Sequence, residues 1–287
     1  MLNVSLAKKN TVVFHPGIGK TGTSAVQKVG FSLPYNDPNK VCFLPFGEVS
    51  GAHNKLAMNH PQFDEINFKS NIDRVVEFVS ERNASTIIST EFMIRLTKPQ
   101  IIETTKVLLE KNIEIKALFS IRNYNTYLAS AYMQAIKAKF GKNDNEGLLA
   151  YCSRELESIR YPLLLDRWAQ VLGDDNIFLI DYDLYRADFV RNFFAVFNIE
   201  IDERLVLDNN NINPSIPLCF DELMIAFDKV SNNSEDRKGL IELLINAEVN
   251  KAVNEGRINE IEKITLNKFE HDKDRLTSRY SWVGDAP

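Results

Sequence analysis

Between the apolar run Thr11–His15 (TVVFH) and a helix-favouring stretch lies the segment HPGIGKTGTS, His15 to Ser24. Its last six residues, Gly19–Ser24, hold one ammonium, two glycines and three hydroxyls: Lys20, Thr21, Gly22, Thr23 and Ser24 are donors packed beside backbone that can turn tightly. Glycines let the N–H groups converge, and the helix that follows adds the positive end of its dipole, so a phosphate or sulfate is favoured at Gly22–Ser24. The ATPase loop G-x-x-x-x-G-K-[ST] fits only at its end, because Phe14 stands where its first glycine belongs. The bland alternative is a glycine-rich strand–helix turn with no ligand.

Further positions carry chemistry. Arg122 ends the apolar run Ile113–Ile121, and Ser130 follows eight residues later on a helical stretch. A guanidinium fork donates two parallel charge-assisted bonds to a phosphate, although a lone Arg is commonly a solvated or ion-paired surface group. Glu91 closes the strand-like run Ser85–Thr90 (STIIST) and would serve as a proton acceptor or as a helix-capping, ion-paired carboxylate. His15, beside the loop, would donate to an anion or stand as a buried structural histidine. Gln134 and Lys137 share helical spacing with Ser130 and are candidate acceptor contacts or a solvated face. The four histidines form no HExxH or paired-ligand pattern. Cys42, Cys152 and Cys219 show neither metal-ligand spacing nor a disulfide framework, which suits a reducing compartment. No metal is expected.

K-T-G-T-S resembles the 5′-phosphosulfate loop of sulfotransferases that use 3′-phosphoadenosine-5′-phosphosulfate (PAPS), a Lys-x-Gly-Thr-Thr/Ser pattern after the first strand. FSIRNYNTYLASAY, Phe119 to Tyr132, resembles that family's 3′-phosphate element, a strand-terminal Arg with a helical Ser eight residues on. The family often has Asp-Pro after the Arg, where this chain has Asn123-Tyr124. Y-x-x-L-L-x-R-W (Tyr161–Trp168), NIFLIDY, F-E-x-D-x-x-R-L (Phe269–Leu276) and NNNINPS (Asn209–Ser215) resemble segments of bacterial members, more weakly. The resemblance implies transfer of a sulfuryl group from PAPS to an acceptor hydroxyl or amine on a small molecule or glycan, releasing adenosine 3′,5′-bisphosphate (PAP). It implies cofactor contacts from Lys20, Thr21, Gly22, Thr23, Ser24, Arg122 and Ser130. Lys20 would neutralise leaving-group charge, and Glu91, standing where many animal members have a His, would be the general base, with His15 its rival. The competing functions are a P-loop kinase, for which Asp181 would have to hold Mg²⁺, and a nucleotide-binding module without catalysis.

To position these residues, strands must alternate with helices. Strands are expected at Thr11–His15, Val41–Leu44, Ser85–Thr90, Ile113–Ile121 and Asn176–Tyr182. Helices are expected at Thr23–Gly30, Asn71–Arg82, Lys98–Lys111, Tyr124–Lys139, Gly147–Leu156, Tyr161–Leu172 and Leu184–Phe197. The last third reads as helical at Leu218–Val230, Arg237–Ala252 and Ile258–Arg275. Such alternation predicts a three-layer α/β, P-loop-like fold, a central parallel sheet flanked by helices with a helical C-terminal extension, as a single domain over residues 1–287. Sites in such sheets lie at the carboxyl ends of the strands. Acceptor contacts are expected from the loops Phe31–Pro61 and Phe140–Gly147. Phe189, Phe193, Phe194 and Phe197 form a core-facing helical stripe. Of the 287 residues, 44% are hydrophobic and 25% charged, with net charge −5, which fits a globular protein and argues against nucleic-acid or membrane-surface partners. No apolar run reaches membrane-spanning length and the first residues do not read as a signal peptide, so a cytoplasmic location is expected.

Overall fold

The computed structural model describes residues 6, 8–138, 146–207, 216–231, 233–249 and 251–283. Most of the Phe140–Gly147 loop and all of the Asn209–Ser215 stretch lie outside them. The chain runs β1 (Thr11–His15), α1 (Thr23–Ser32), β2 (Cys42–Phe43), α2 (Glu65–Ser80), β3 (Thr86–Ser89), α3 (Lys98–Glu110) and β4 (Glu114–Ile121). There follow α4 (Tyr124–Ala138), α5 (Leu148–Leu156), α6 (Tyr161–Leu172), β5 (Ile177–Asp181), α7 (Tyr182–Tyr185), α8 (Phe189–Ala195) and α9 (Glu203–Leu207). The chain then continues through α10 (Asp221–Val230), α11 (Ser234–Ile245), α12 (Lys251–Thr265), α13 (Lys268–Thr277) and β6 (Ser281–Trp282). It forms two compact units, Met1–Ile121 with Tyr161–Ile212 and Asp274–Pro287, and Arg122–Arg160 with Asn213–Lys273.

The first unit is the expected α/β architecture. Its six strands lie in the order β2-β3-β1-β4-β5-β6, every pair parallel. Strand side chains alternate between faces, and this alternation fixes which helices each face buries. Val13, Ile87, Leu118, Phe178 and Ile180 pack with Val26 and Val29 of α1 and with Phe189, Phe193 and Phe194 of α8 and Phe197 just beyond it. On the opposite face Phe14 and Phe119 meet the indole of Trp168 in α6, with ring centres 5.7 and 6.0 Å apart. Helix α1 lies so close to β2 that a Cβ on Gly30 would stand 2.4 Å from the Phe43 ring. Both faces are therefore covered, as parallel strands require.

Several element bounds differ from the sequence reading. Helix α2 begins at Glu65, six residues before the expected start, because Asp64 caps it by accepting from the Asn67 N–H at 2.7 Å. The expected helix Leu184–Phe197 is broken into α7, a 3₁₀ turn over Arg186–Asp188, and α8. The expected Ile258–Arg275 helix is two helices, α12 and α13, parted where Leu266 and Asn267 take left-handed φ of 46° and 58°. Strand β6 adds a sixth strand to the five that the sequence pattern predicts.

Among the described residues of the second unit the regular elements are all helices. Helix α4 packs against α5, α10 and α12. Asp272 gathers its two chain segments by accepting from the Tyr124 hydroxyl at 2.8 Å and from Arg160 at 2.7 and 3.0 Å. Arg237 donates to the carbonyls of Ile136 and Lys137 near the C-terminus of α4 and pairs with Asp228.

Candidate functional site

The sharp turn between β1 and α1 is made by two left-handed residues, Lys20 at φ 69° and Gly22 at φ 71°. For Gly22 this conformation is free of strain; for Lys20 it costs about 1–2 kcal/mol. Gly22 occupies the position just before α1, and its carbonyl accepts from the Ala25 and Val26 N–H groups. The Thr21 hydroxyl, fully buried, donates back to the Ile18 carbonyl at 2.6 Å, bracing the loop from within. Thr23 is buried with its hydroxyl 3.4 Å from that of Thr21, whereas Ser24 is exposed on the first turn of α1.

Glu91 reaches this loop. It opens a 3₁₀ turn over Glu91–Arg95, capped by Thr90, the residue after β3, and its carboxyl lies over Gly19: a Cβ there would stand 3.1 Å from Oε2. Burial raises its pKa, and the Lys20 charge and the Thr23 side chain pull it partly back. Lys20, Thr23 and Glu91 thus meet at one corner by the carboxyl ends of β1 and β3.

His15 is tied into the sheet behind the loop. Its fully buried ring places Nδ1 2.9 Å from the Ser89 hydroxyl and Nε2 3.1 Å from that of Ser120, spanning β3, β1 and β4. Gln27 of α1 donates to the same Ser89 hydroxyl at 3.1 Å. Burial drives the His15 pKa down to about 3, so the imidazole is neutral and both nitrogens are engaged. Asp181, the residue a kinase would need for Mg²⁺, accepts from the Leu184 N–H at 3.0 Å and caps α7. Among the described residues no cluster of three or more His, Cys, Asp or Glu is placed to hold a metal.

The sequence reading missed the scaffold behind Glu91. His53 accepts the Ser89 N–H at Nδ1, 2.9 Å, and donates from Nε2 to the Leu44 carbonyl at 2.8 Å. Thr90 donates to Asn54 Oδ1 at 2.6 Å, Asn59 donates to the Phe92 carbonyl at 2.7 Å, and the His60 ring lies 4.6 Å from that of Phe92. Four side chains between positions 53 and 60 therefore hold the segment on either side of Glu91, His53 and Asn59 through its backbone and Asn54 and His60 through the Thr90 and Phe92 side chains. The sequence reading assigns that stretch to the acceptor; its observed contacts are these bracing bonds, and no periodicity or motif marks them.

In the second unit Arg122, which follows β4 directly, is buried, and its Nε donates to the Thr126 hydroxyl at 3.1 Å. Ser130, half-buried, stands one turn beyond Thr126 on α4, hence on the same helix face. Gln134 and Lys137 continue along α4 and are half-buried.

No protein-family model matches the chain, and no curated protein matches it. Among solved structures it is similar to a sulfotransferase from Alicyclobacillus acidocaldarius, at 16% identity and TM-score 0.44, over 85% of this chain and 98% of that one. It is also similar to mouse sulfotransferase SULT7A1 complexed with PAP, at 15% identity and TM-score 0.45, over 94% of this chain and 89% of that one. Among the described residues no helix is long and apolar enough to cross a membrane.

Proposed function

We propose that the protein is a sulfotransferase that takes PAPS and transfers its sulfuryl group to an acceptor hydroxyl or amine of a small molecule or glycan, in the cytoplasm, releasing PAP. The observation that carries this reading is the Glu91 carboxyl lying against the Lys20–Thr23 loop. A base held beside an anion cradle is what in-line transfer of a charged group to a protonated nucleophile needs. The loop residues fit a sulfated nucleotide: Lys20, Thr21, Gly22, Thr23 and Ser24 supply charge, backbone and hydroxyls, with no added Cβ tolerated at Gly19 without moving Glu91. When bound, PAPS supplies an activated sulfuryl group on a good leaving phosphate. Glu91 takes the acceptor's proton as that oxygen or nitrogen bonds to sulfur, and Lys20 offsets the negative charge gathering on the departing phosphate. Arg122 and Ser130 are assigned to the 3′-phosphate, Arg122 already oriented by Thr126.

The test is nucleotide preference. With a charge-assisted bond contributing about 1.5–3 kcal/mol, PAP should bind about ten- to a hundredfold more tightly than ADP, and Arg122→Ala should erase the difference. Equal affinities in calorimetry would favour a nucleoside diphosphate- or triphosphate-dependent enzyme instead. Radiolabelled PAPS offered with phenols, amines and glycans then identifies the acceptor.

A further inference from the structure

Glu91 is an odd neighbour for a polyanion. The loop offers one positive charge from Lys20 and about half a charge from the N-terminus of α1, and the Glu91 carboxylate against Gly19 offsets most of it. The two ligand groups that could end a 5′-chain here differ in charge, not shape. A sulfuryl group ending a phosphosulfate carries one negative charge, whereas the isosteric terminal phosphoryl group carries close to two at neutral pH, its second pKa lying near 6. A loop with Lys20 alone would favour the more highly charged group. A loop whose charge is largely offset by a carboxylate attracts the extra charge too weakly to repay the cost of stripping water from it, and so favours the less charged one.

We propose that Glu91 is a charge filter: its carboxylate, held over Gly19 beside Lys20 and Thr23, makes the loop accept a terminal sulfuryl group and reject a terminal phosphoryl group of the same shape. This rests on the sulfotransferase reading and adds to it a specificity role separate from proton transfer. The filter is held in place because its backbone is bonded on both sides, at the Ser89 N–H by His53 and at the Phe92 carbonyl by Asn59. It needs no donor or steric difference, which neither group would supply.

The experiment is calorimetry at constant pH and ionic strength with three nucleotides: PAPS, its analogue adenosine 3′-phosphate 5′-diphosphate, and PAP, which lacks the terminal group. One extra charge at close range in a partly screened site corresponds to at least tenfold, so the wild type should prefer PAPS over the diphosphate by about ten- to a hundredfold. Glu91→Gln should abolish the preference for PAPS or turn it towards the diphosphate, by tightening the diphosphate at least tenfold, with PAP little changed. Glu91→Ala is a second neutral variant should Glu91→Gln fold poorly. A preference that persists in both neutral variants, or is absent from the wild type, overturns the filter while PAP binding keeps the cofactor reading intact. A wild type that binds none of the three overturns both.

Discussion

Burial beside the loop penalises the ionised form of Glu91, so its folded pKa lies above its unfolded one. The folded state then binds more protons than the unfolded state between those two values, and stability falls as pH rises through the folded pKa. Glu91→Gln removes that penalty, so the variant should melt higher than wild type at neutral pH and lose the advantage at acid pH where Glu91 is itself protonated. The same variant should lose roughly 10²–10⁴-fold in turnover, the range for a missing general base. Melting curves at two pH values with a rate assay separate a functional carboxylate from a structural one, which would show loss of stability and little change in rate. Lys20 offers a second residue-level check, since its φ of 69° suits glycine. Lys20→Gly and Lys20→Ala should weaken PAP binding alike, yet the glycine variant should be the more stable by about 1 kcal/mol. Equal stabilities would mean that the loop relaxes once the charge is gone.

At the scale of elements, two histidines tie the strands together in their neutral form. His15 joins β3, β1 and β4 through serine hydroxyls, and His53 extends the β3 backbone pairing towards Leu44. Burial lowers their pKa values to about 3 and about 4. Between the unfolded value near 6.5 and those folded values the unfolded chain binds more protons, so stability is full above about pH 6.5 and is lost as pH falls. Each ring contributes a slope of about 1.4 kcal/mol per pH unit in its window. Ring resonances of both histidines should therefore stay unprotonated at pH 5 in the folded protein, while denaturant midpoints decline. Either ring titrating near 6.5 would show that its bonds open to solvent. These pairings lie beyond sequence reading for a physical reason: His15 announces itself only by standing next to a loop, and His53 sits in a stretch with no period. By contrast, the strand-loop-helix order around Lys20 and the strand end before Glu91 are legible, because a burst of β-branched residues followed by glycines leaves few alternatives. Leu266 and Asn267 hide the break between α12 and α13, since neither is a Gly or Pro. Strand β6, with two residues, has too little length to show alternation.

For the whole molecule, the alternation of apolar runs foretells the parallel sheet. It gives no hint that 122–160 and 213–273, far apart in sequence, gather into a helical unit through Asp272 and the packing of α12 on α4. Long-range closure of that kind leaves no local signature. It does leave a handle for kinetics. Cys42 lies wholly buried in β2 of the sheet unit and Cys152 wholly buried in α5 of the helical unit, and burial pushes their thiols up to about 11 and about 12. Each thiol can react only when its own unit opens, because a buried, protonated sulfur is inert. Cys219, half-buried, should label first and can be removed by Cys219→Ser. The labelling rates of the two remaining sulfurs then time the breathing of each unit separately, and PAP added at saturating concentration should slow both if the nucleotide draws on both. Slowing of Cys42 alone would place the ligand's grip on the Lys20 loop and leave Arg122 and Ser130 out of it.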